Sequence, residues 1–223
     1  MISISVVIPA WNADRYIGDA VDSVLSQSAA PDEIIVVDDG STDSTSQCVR
    51  TFGPLVTLIE QPNAGVATAR NRGIAAAQGE AIALLDSDDL MAPRRLELQW
   101  AVLVHDPDCA IVLGKQLTFR TEQEQLALVG GAVDLSAVRP GYVPSAAMVR
   151  ASVFGTIGPF DASLRIGDFL DWITRAQSQG APIATMAEVV AYRRLHQGSL
   201  SRSAGMQYAN LVHQLRRKTG KTE

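Results

Sequence analysis

Cysteine is scarce in this chain, and the two that occur exclude two common kinds of small protein. Cys48 and Cys109 are far apart among the 223 residues and belong to no metal-ligand spacing. A disulfide framework or a zinc-ribbon fold therefore has no basis in the sequence. We expect a protein of a reducing, cytoplasmic environment.

Aromatic residues, positive charge and long apolar runs are also limited. Aromatic residues make up 5% of the chain, against 47% hydrophobic and 19% charged, which is typical of a globular domain with an aliphatic core. The formal net charge of -5 argues against nucleic acid as a partner. No stretch reaches the roughly 20 apolar residues of a membrane span. Residues 1–12 lack the basic start and cleavage site of a secretory signal.

Two glycine-rich nucleotide motifs are missing. No G-x-G-x-x-G follows the first apolar run, and no G-x-x-x-x-G-K-[ST] occurs in the chain. These absences argue against a dinucleotide-dependent oxidoreductase and against a P-loop nucleotidase.

The first half of the chain repeats one pattern, in which a short aliphatic run leads through a polar turn into a segment of helical periodicity. The aliphatic runs are "ISVVIP", "EIIVV", "LVTLIE" and "AIALL", and helical segments follow at "NADRYIGDAVDSVLSQ" and "NAGVATARNRGIAAA". Asn12 or Asp14 is placed to cap the first helix. This order predicts an α/β fold in which a single, Rossmann-like, mostly parallel central sheet is flanked by helices.

The second half alternates less regularly. "CAIVLGKQLTF" and "PIATMAEVVAYRRL" predict strands, and "GDFLDWITRAQSQG" predicts a helix with Trp172 on its buried face. No linker or repeat divides the chain. We therefore expect one domain over residues 1–223, with a ligand-binding half (1–100), a second half (101–205) and a basic tail (206–223).

Polar clusters follow three of the predicted strands. They are "PAWN" after the first strand, "DDGSTD" after the second and "LLDSDD" after the fourth. Ligands bind outside the carboxyl ends of parallel strands, so these residues are expected to line one crevice. Asp86, Asp88 and Asp89 lie within four positions and repel one another. A divalent cation, Mg²⁺ or Mn²⁺, bound together with substrate phosphates would compensate them, and a turn with helix caps is the alternative.

Four segments together resemble the family 2 glycosyltransferases, which have the GT-A fold. They are "VVIPAWNADRYIGDAVDSVLSQ", "IIVVDDGSTDST", "NAGVATARNRGIAAAQGEAIALLDSDD" and "RRLHQGSLSR". The resemblance implies metal-dependent, inverting transfer of a sugar from a nucleotide-diphosphate donor, expected to be a UDP-sugar, to an acceptor hydroxyl. A saccharide, a lipid-linked glycan or a small molecule could supply that hydroxyl.

The resemblance also implies a set of donor-binding residues. Asp39 would accept a hydrogen bond from the nucleobase N–H with Asp38 in support, and Arg70 would lie near the diphosphate. The remaining candidates for the nucleotide-sugar site are Pro9, Ala10, Asn12, Asp86, Ser87, His196, Ser199 and Ser201. His196 and the two serines would belong to a late loop over the phosphates.

The metal ligands and the catalytic base follow from the same likeness. In the "DSDD" segment, Asp88 matches the best metal ligand of the D-x-D motif, with Asp86 and Asp89 beside it. Asp168 matches the acidic residue before a late helix, which would take the acceptor proton. Gly167 replaces the usual glutamate before it, so Asp171 stays a contender.

Two alternative functions remain open at this point. A non-catalytic nucleotide-sugar binder would keep the first crevice and lack a working base. A phosphotransfer regulator would share the acidic pocket but requires a lysine near the strand ends, where Lys115 is the only mid-chain candidate.

The tail of the chain is basic. Its residues Arg216, Arg217, Lys218 and Lys221 are expected either to be solvated or to contact anionic lipid at the inner face of a membrane.

Overall fold

The fold is α/β, with one curved sheet between two layers of helices. In the computed structural model, residues 3–129 and 135–196 are described. Their strands are β1 (Ile4–Ala10), β2 (Glu33–Asp38), β3 (Thr57–Glu60), β4 (Ala81–Leu84), β5 (Leu90–Met91), β6 (Ile111–Phe119), β7 (Val138–Pro140), β8 (Ala147–Arg150) and β9 (Ile183–Arg194). Their helices are α1 (Ile17–Leu25), α2 (Thr45–Arg50), α3 (Val66–Ala76), α4 (Arg95–His105), α5 (Glu122–Val129), α6 (Ala151–Ile157) and α7 (Asp168–Ser178).

The first half of the sheet is parallel, as the alternating pattern predicts. Its order is β3-β2-β1-β4, with β1 paired to β2 on one side and to β4 on the other. β1 and β2 are buried along almost their whole length, which explains their continuous aliphatic runs. β2 and β3 extend the sheet on one side of β1, and β4 extends it on the other side. The crevice between the ends of β1 and β4 is therefore a topological switch point.

The second half of the sheet is mixed. β8 is antiparallel to both β4 and β6, while β9 runs parallel to β6 with register shifts near Lys115. The short strand β5 follows the acidic turn of residues 86–89 and pairs antiparallel with β9 through Leu90–Tyr192 and Met91–Ala191. This pairing brings the end of β9 against the acidic turn.

The helices lie on the two faces of the sheet and enclose its core. α1 packs through Ile17, Ala20, Val21 and Val24, all of which are fully buried. α3 approaches β1 closely, because a Cβ atom at Gly73 would stand 2.5 Å from Cγ1 of Val7. Only glycine permits this spacing between helix and strand.

The structure tests the predictions for Trp172 and for the N-cap of α1. Trp172 is a core residue, as its helical stripe predicts, and its Nε1 donates a hydrogen bond to the carbonyl of Gly158 over 2.8 Å. The prediction that Asn12 or Asp14 caps α1 is wrong, because Tyr16 holds the N-cap position and no side chain caps it. Asn12 instead contacts the turn after β2.

The structure bears on the cysteines and on possible membrane spans, but not on the basic tail. Cys48 and Cys109 are both free thiols. No helix within residues 3–129 and 135–196 combines the length and the apolar character needed to cross a bilayer. The basic tail at 206–223 lies outside the described residues.

Candidate active site

The candidate site lies where β1, β2 and β4 end, at the switch point of the sheet. The turn that follows β2 (residues 38–43) is called here the first acidic turn, and the turn that follows β4 (residues 86–89) the second acidic turn. Pro9 and Ala10 end β1 between them and are buried. The topology therefore brings the three predicted polar clusters to one edge of the sheet.

Asp39 holds the loop before α3 in place. Its buried carboxylate accepts hydrogen bonds from Nε2 of Gln61 (2.7 Å) and from the backbone N–H groups of Ala64 (2.9 Å) and Gly65 (2.8 Å). An ionised carboxylate offers about four acceptor positions. These three bonds use three of the four positions, and a nucleobase N–H as the partner of Asp39 stays a prediction.

Asn12 and Asp38 shape the first acidic turn. Oδ1 of Asn12 accepts the backbone N–H of Thr42 over 2.8 Å, while the N–H of Asn12 donates to Oγ of Ser41 over 2.9 Å. Asn12 adopts a left-handed backbone with φ of 48°, which asparagine tolerates better than most residues. Asp38 accepts the N–H of Ser41 (2.9 Å) and the hydroxyl of Ser46. The loops after β1 and β2 therefore form one rigid wall.

Arg70 joins the second acidic turn to the start of α7. Its guanidinium donates from Nη2 to Oδ1 of Asp86 over 2.6 Å and from Nη1 to Oδ2 of Asp168. Its carbon Cζ also stands 5.9 Å from the ring centre of Phe160. Burial acts to lower the pKa of Arg70, but the charges of Asp86 and Asp168 raise it above its ordinary value. Arg70 is therefore a permanent cation between two predicted functional carboxylates.

Asp88 lies beside His196, with Oδ2 of the carboxylate 2.9 Å from Nε2 of the imidazole. The His196 ring also contacts Tyr16, with ring centres 4.7 Å apart. Both side chains are half-buried, and Ser87 next to them is half-buried as well. The structure thus brings together the predicted metal ligand and the predicted late-loop histidine.

Asp89 turns inward, away from the other two carboxylates of its turn. Its Oδ2 accepts the hydroxyl of Ser145 over 2.6 Å, and its Oδ1 accepts the N–H of Arg194 over 3.0 Å. Ser145 in turn accepts the N–H of Asp86 over 3.0 Å. Burial, with the charges of Asp88 and Asp86, raises the pKa of Asp89 well above its ordinary value. Both of its oxygens therefore serve the shape of the turn.

A second buried arginine lies beneath the same turn. Arg95 is fully buried in α4, where it donates to Oε1 of Gln99 (2.9 Å) and to the carbonyls of Leu84 (2.9 Å) and Ala147 (2.8 Å). Burial lowers the pKa of Arg95 to about 9, against the opposing charge of Asp89. Arginine still carries its charge at neutral pH.

The arginines revise the electrostatic argument for a metal. Arg70 places positive charge beside Asp86, and Arg95 places positive charge near Asp89. Burial raises the pKa of Asp86, and the charge of Arg70 opposes that rise. Repulsion among the carboxylates therefore does not by itself require a dication. Within residues 3–129 and 135–196, no group of three His, Cys, Asp or Glu side chains could hold a metal ion.

A metal shared with a diphosphate still fits the donor set. Asp88 and His196 offer a carboxylate oxygen and an imidazole nitrogen next to each other. Mg²⁺ and Mn²⁺ are typically held by one or two protein carboxylates, with substrate phosphates and water as the other ligands. The metal stays a prediction, with Asp88 rather than Asp89 as its anchor.

The two candidates for the catalytic base differ in their surroundings. Asp168 is the first residue of α7 and is buried against Arg70. Asp171 lies one turn further on and accepts Nε of Arg175 over 2.8 Å. Arg175 also donates to the carbonyls of Ile157 (2.8 Å) and Pro159 (2.7 Å), so Asp171 fixes the segment before α7. Ser199 and Ser201 lie outside the described residues.

Sequence reasoning missed three residues of this site. Ser145, Arg95 and Arg194 all contact the second acidic turn or the strands beside it. A signal existed for Arg95, because it shares a helical face with Gln99 and Leu103, four and eight residues on. Ser145 lies just before β8 and Arg194 ends β9, and neither carries a comparable local pattern.

Comparison with known proteins identifies the family. The family model described as "Glycosyl transferase family 2" matches residues 5–157. The chain belongs to glycosyl transferase family 2. Among curated relatives of this glycosyltransferase, it is 38% identical to chondroitin synthase of Pasteurella multocida over 112 residues, which are 49% of this chain and 12% of the relative.

Two further relatives of this glycosyltransferase are bacterial. It is 36% identical over 120 residues to GlyG of Streptococcus pneumoniae, covering 52% of this chain and 40% of that protein. It is 43% identical over 101 residues to TuaG of Bacillus subtilis, a putative teichuronic acid biosynthesis glycosyltransferase, covering 43% and 40%. The chain thus spans less than half the length of these relatives.

Solved structures confirm the GT-A fold of this family 2 glycosyltransferase. S. aureus TarS superposes with a TM-score of 0.71 at 21% identity, over 87% of this chain and 37% of TarS. A TarS fragment in complex with UDP-GlcNAc gives a TM-score of 0.69 at 22% identity, over 91% of this chain and 61% of the fragment.

Proposed function

We propose that this protein transfers a sugar from a nucleotide-diphosphate donor, a UDP-sugar, to an acceptor hydroxyl, with a divalent cation and with inversion at the sugar carbon. The observation that carries the proposal is the double ion pair of Arg70 with Asp86 and Asp168. It supports the proposal because Asp86, predicted for the donor side, and Asp168, predicted for the acceptor side, share one cation.

The nucleoside fits against the rigid wall formed by the loops after β1 and β2. Asp39 keeps one acceptor position for a nucleobase N–H, which uracil and guanine both offer. Backbone at Pro9 and Ala10 would flank the ring. The UDP and UDP-GlcNAc complexes of TarS, which shares this fold, support a uracil nucleotide as the first donor to test.

Charge compensation for the donor diphosphate comes from two sources. Arg70 provides a guanidinium, which suits phosphate oxygens geometrically. Asp88 and His196 would hold a divalent cation, which supplies Lewis-acid stabilisation of the charge on the leaving diphosphate. Both groups contact the second acidic turn, Arg70 through Asp86 and His196 through Asp88.

The transfer itself is a single displacement. The acceptor oxygen forms a bond to the anomeric carbon while the bond from that carbon to the diphosphate oxygen breaks, and the nucleoside diphosphate departs with the electron pair. The acceptor proton passes to Asp168. Arg70 occupies Oδ2 of that carboxylate, so we assign the proton to Oδ1. Attack from the face opposite the diphosphate inverts the configuration.

The first experiment measures donor binding by calorimetry. UDP, TDP and GDP are titrated with and without Mn²⁺, and we expect UDP to bind tightest with an affinity that Mn²⁺ increases. The variant Asp88→Asn should lose that increase, whereas Asp22→Asn, on the exposed face of α1, should keep it. Absence of diphosphate affinity in every combination would contradict the proposal.

The second experiment separates an enzyme from a donor-binding protein. Asp168→Asn should retain UDP affinity. The rate of sugar transfer, measured as the UDP liberated from the donor, should fall by about 10²- to 10⁴-fold, because general bases contribute on that order. Asp161→Asn, an exposed carboxylate before the same helix, is the matched control. Wild-type protein that binds UDP-sugars yet turns none over, with a panel of glycan acceptors, would favour the binder.

The acceptor class is proposed from the relatives. Chondroitin synthase and the teichuronic acid glycosyltransferase are named for glycan products, so a saccharide or a lipid-linked glycan is the acceptor class to screen first. Small-molecule acceptors and contact with anionic lipid through residues 206–223 form the second tier of that screen.

A further inference from the structure

Arg194 contacts the second acidic turn and two helices, and nothing in the sequence motifs assigns it a role. It ends β9 and is 8% exposed. Its backbone N–H donates to Oδ1 of Asp89 over 3.0 Å, and its Nε donates to the backbone carbonyl of Asp88 over 3.0 Å. One residue thus holds both the main chain and a side chain of the turn.

The other end of the guanidinium reaches two helices. Nη2 of Arg194 donates to Oδ2 of Asp19 in α1 over 2.8 Å, and Nη1 donates to Oε1 of Gln125 in α5 over 2.9 Å. The carbon Cζ lies 4.8 Å from the ring centres of both Tyr16 and Phe119. The planar fork of arginine is what allows acceptors in three directions and aromatic rings on its faces.

The consequence concerns His196, two residues further along the chain. His196 contacts Asp88 over 2.9 Å and lies against the Tyr16 ring that Arg194 also contacts. Arg194 therefore fixes the relative position of Asp88 and His196, the two groups proposed to hold the cation. Outer residues that orient metal ligands typically change metal affinity by about 10- to 100-fold when they are replaced.

We propose that Arg194 is a positioning residue for the metal–diphosphate site, which it holds by tying Asp88 and His196 to helices α1 and α5. This inference rests on the proposed function. It predicts a specific loss: the factor by which Mn²⁺ raises UDP affinity falls, whereas UDP affinity without metal is unchanged.

The test uses the full chain and calorimetric titration of UDP in the presence and absence of Mn²⁺. Arg194→Ala should reduce the Mn²⁺-dependent gain in UDP affinity by about 10- to 100-fold. Arg194→Lys keeps the charge but not the fork and should recover part of the gain. Asp19→Asn removes the negative charge that faces the fork but keeps an amide oxygen as acceptor, and it should give a smaller reduction.

A matched control tests whether any arginine that donates to backbone carbonyls would behave alike. Arg150 also donates to backbone carbonyls, those of Cys109 (2.8 Å) and Leu103 (2.5 Å), on strand β8 away from the acidic turns. Arg150→Ala should lower the unfolding temperature and leave the Mn²⁺-dependent gain as in the wild type. Equal losses of the gain in Arg150→Ala and Arg194→Ala would overturn the assignment.

The failures of the two proposals can be told apart. If Mn²⁺ does not change the UDP affinity of the wild-type protein, both the metal dependence of the proposed function and the role of Arg194 are overturned. A wild-type protein with a clear gain, together with Arg194→Lys and Arg194→Ala variants that keep it, overturns the role of Arg194 alone. If Arg194→Ala does not fold, Arg194→Lys and Asp19→Asn carry the test.

Discussion

The two acidic turns of this glycosyltransferase have similar compositions but hold their carboxylates differently. In the first, neutral donors surround Asp39: an amide side chain and two backbone N–H groups. In the second, the guanidinium of Arg70 pairs with Asp86, while the buried Asp89 accepts neutral donors from Ser145 and Arg194. Neutral donors fix the shape of a loop, whereas the cation also joins the second turn to Asp168 at the start of α7.

The largest effect is expected when the cation of the second turn is removed. Arg70→Met leaves Asp86 and Asp168 next to each other without their shared partner. Removing one member of a buried ion pair typically costs about 3–5 kcal/mol, so the free energy of unfolding in urea should fall by that amount. UDP affinity should fall as well.

An exposed ion pair provides the control for this change. Arg50 pairs with Glu60 over 2.5 Å, and their side chains are 54% and 55% exposed. Arg50→Met should cost less than about 1 kcal/mol, as surface pairs do. Equal losses for Arg50→Met and Arg70→Met would show that Arg70 is no more than a surface residue in solution.

A medium effect is expected in the first turn. Asp39→Asn replaces a carboxylate oxygen by an N–H₂ group that faces a donor, and hydrogen bonds to charged groups are worth roughly 1.5–3 kcal/mol. We expect a loss of about 2 kcal/mol in the free energy of unfolding and weaker UDP binding. Asp22→Asn should change unfolding by less than about 0.5 kcal/mol. An Asp39→Asn protein as stable as wild type would contradict the neutral-donor description.

The smallest effect is a difference in pH dependence between the turns. Burial acts to raise the pKa of Asp43, but hydrogen bonds from Thr45 and Asp14 lower it below its ordinary value of 3.8. Its contribution to stability is therefore present above pH 3.8 and is lost as the pH falls. Asp89 behaves in the opposite sense, because its raised pKa makes ionisation unfavourable in the folded state.

The measurement is the unfolding free energy of two variants from pH 3 to pH 8. The stability of wild type relative to Asp43→Asn should rise with pH from its lowest values up to about pH 4. The stability of wild type relative to Asp89→Asn should decline as the pH rises from 3.8 through the raised pKa of Asp89. Slopes of the same sign would refute the comparison.

The parallel half of the fold could be predicted because its signals are local. β1, β2 and β4 are largely aliphatic runs, and β1 and β2 are each followed by a turn and a helix. The mixed half depends on pairing between distant segments. β5 has two residues, Leu90 and Met91, and exists only because β9 lies beside it. No periodicity can reveal a strand of that length.

The site divides in a similar way. Strand ends placed Asp39, Asp86 and Asp88 at one edge of the sheet from the sequence alone. Their partners could not be predicted, since a pattern does not show which arginine turns inward. Arg70 reaches Asp168 across 98 residues of sequence, and Arg194 reaches Asp19 across 175. Residues so far apart in the sequence come into contact only in the folded sheet.

The close approach of α3 to β1 at Gly73 also sets how far Arg70 can extend. Arg70 lies in the same helix, three residues before that glycine, so the separation between helix and strand fixes the height of its guanidinium above the sheet. A methyl group at position 73 would clash with Cγ1 of Val7, so that either this side chain or the helix that carries Arg70 has to shift. The position of the Arg70 cation therefore depends on a neighbouring residue whose side chain is a single hydrogen atom.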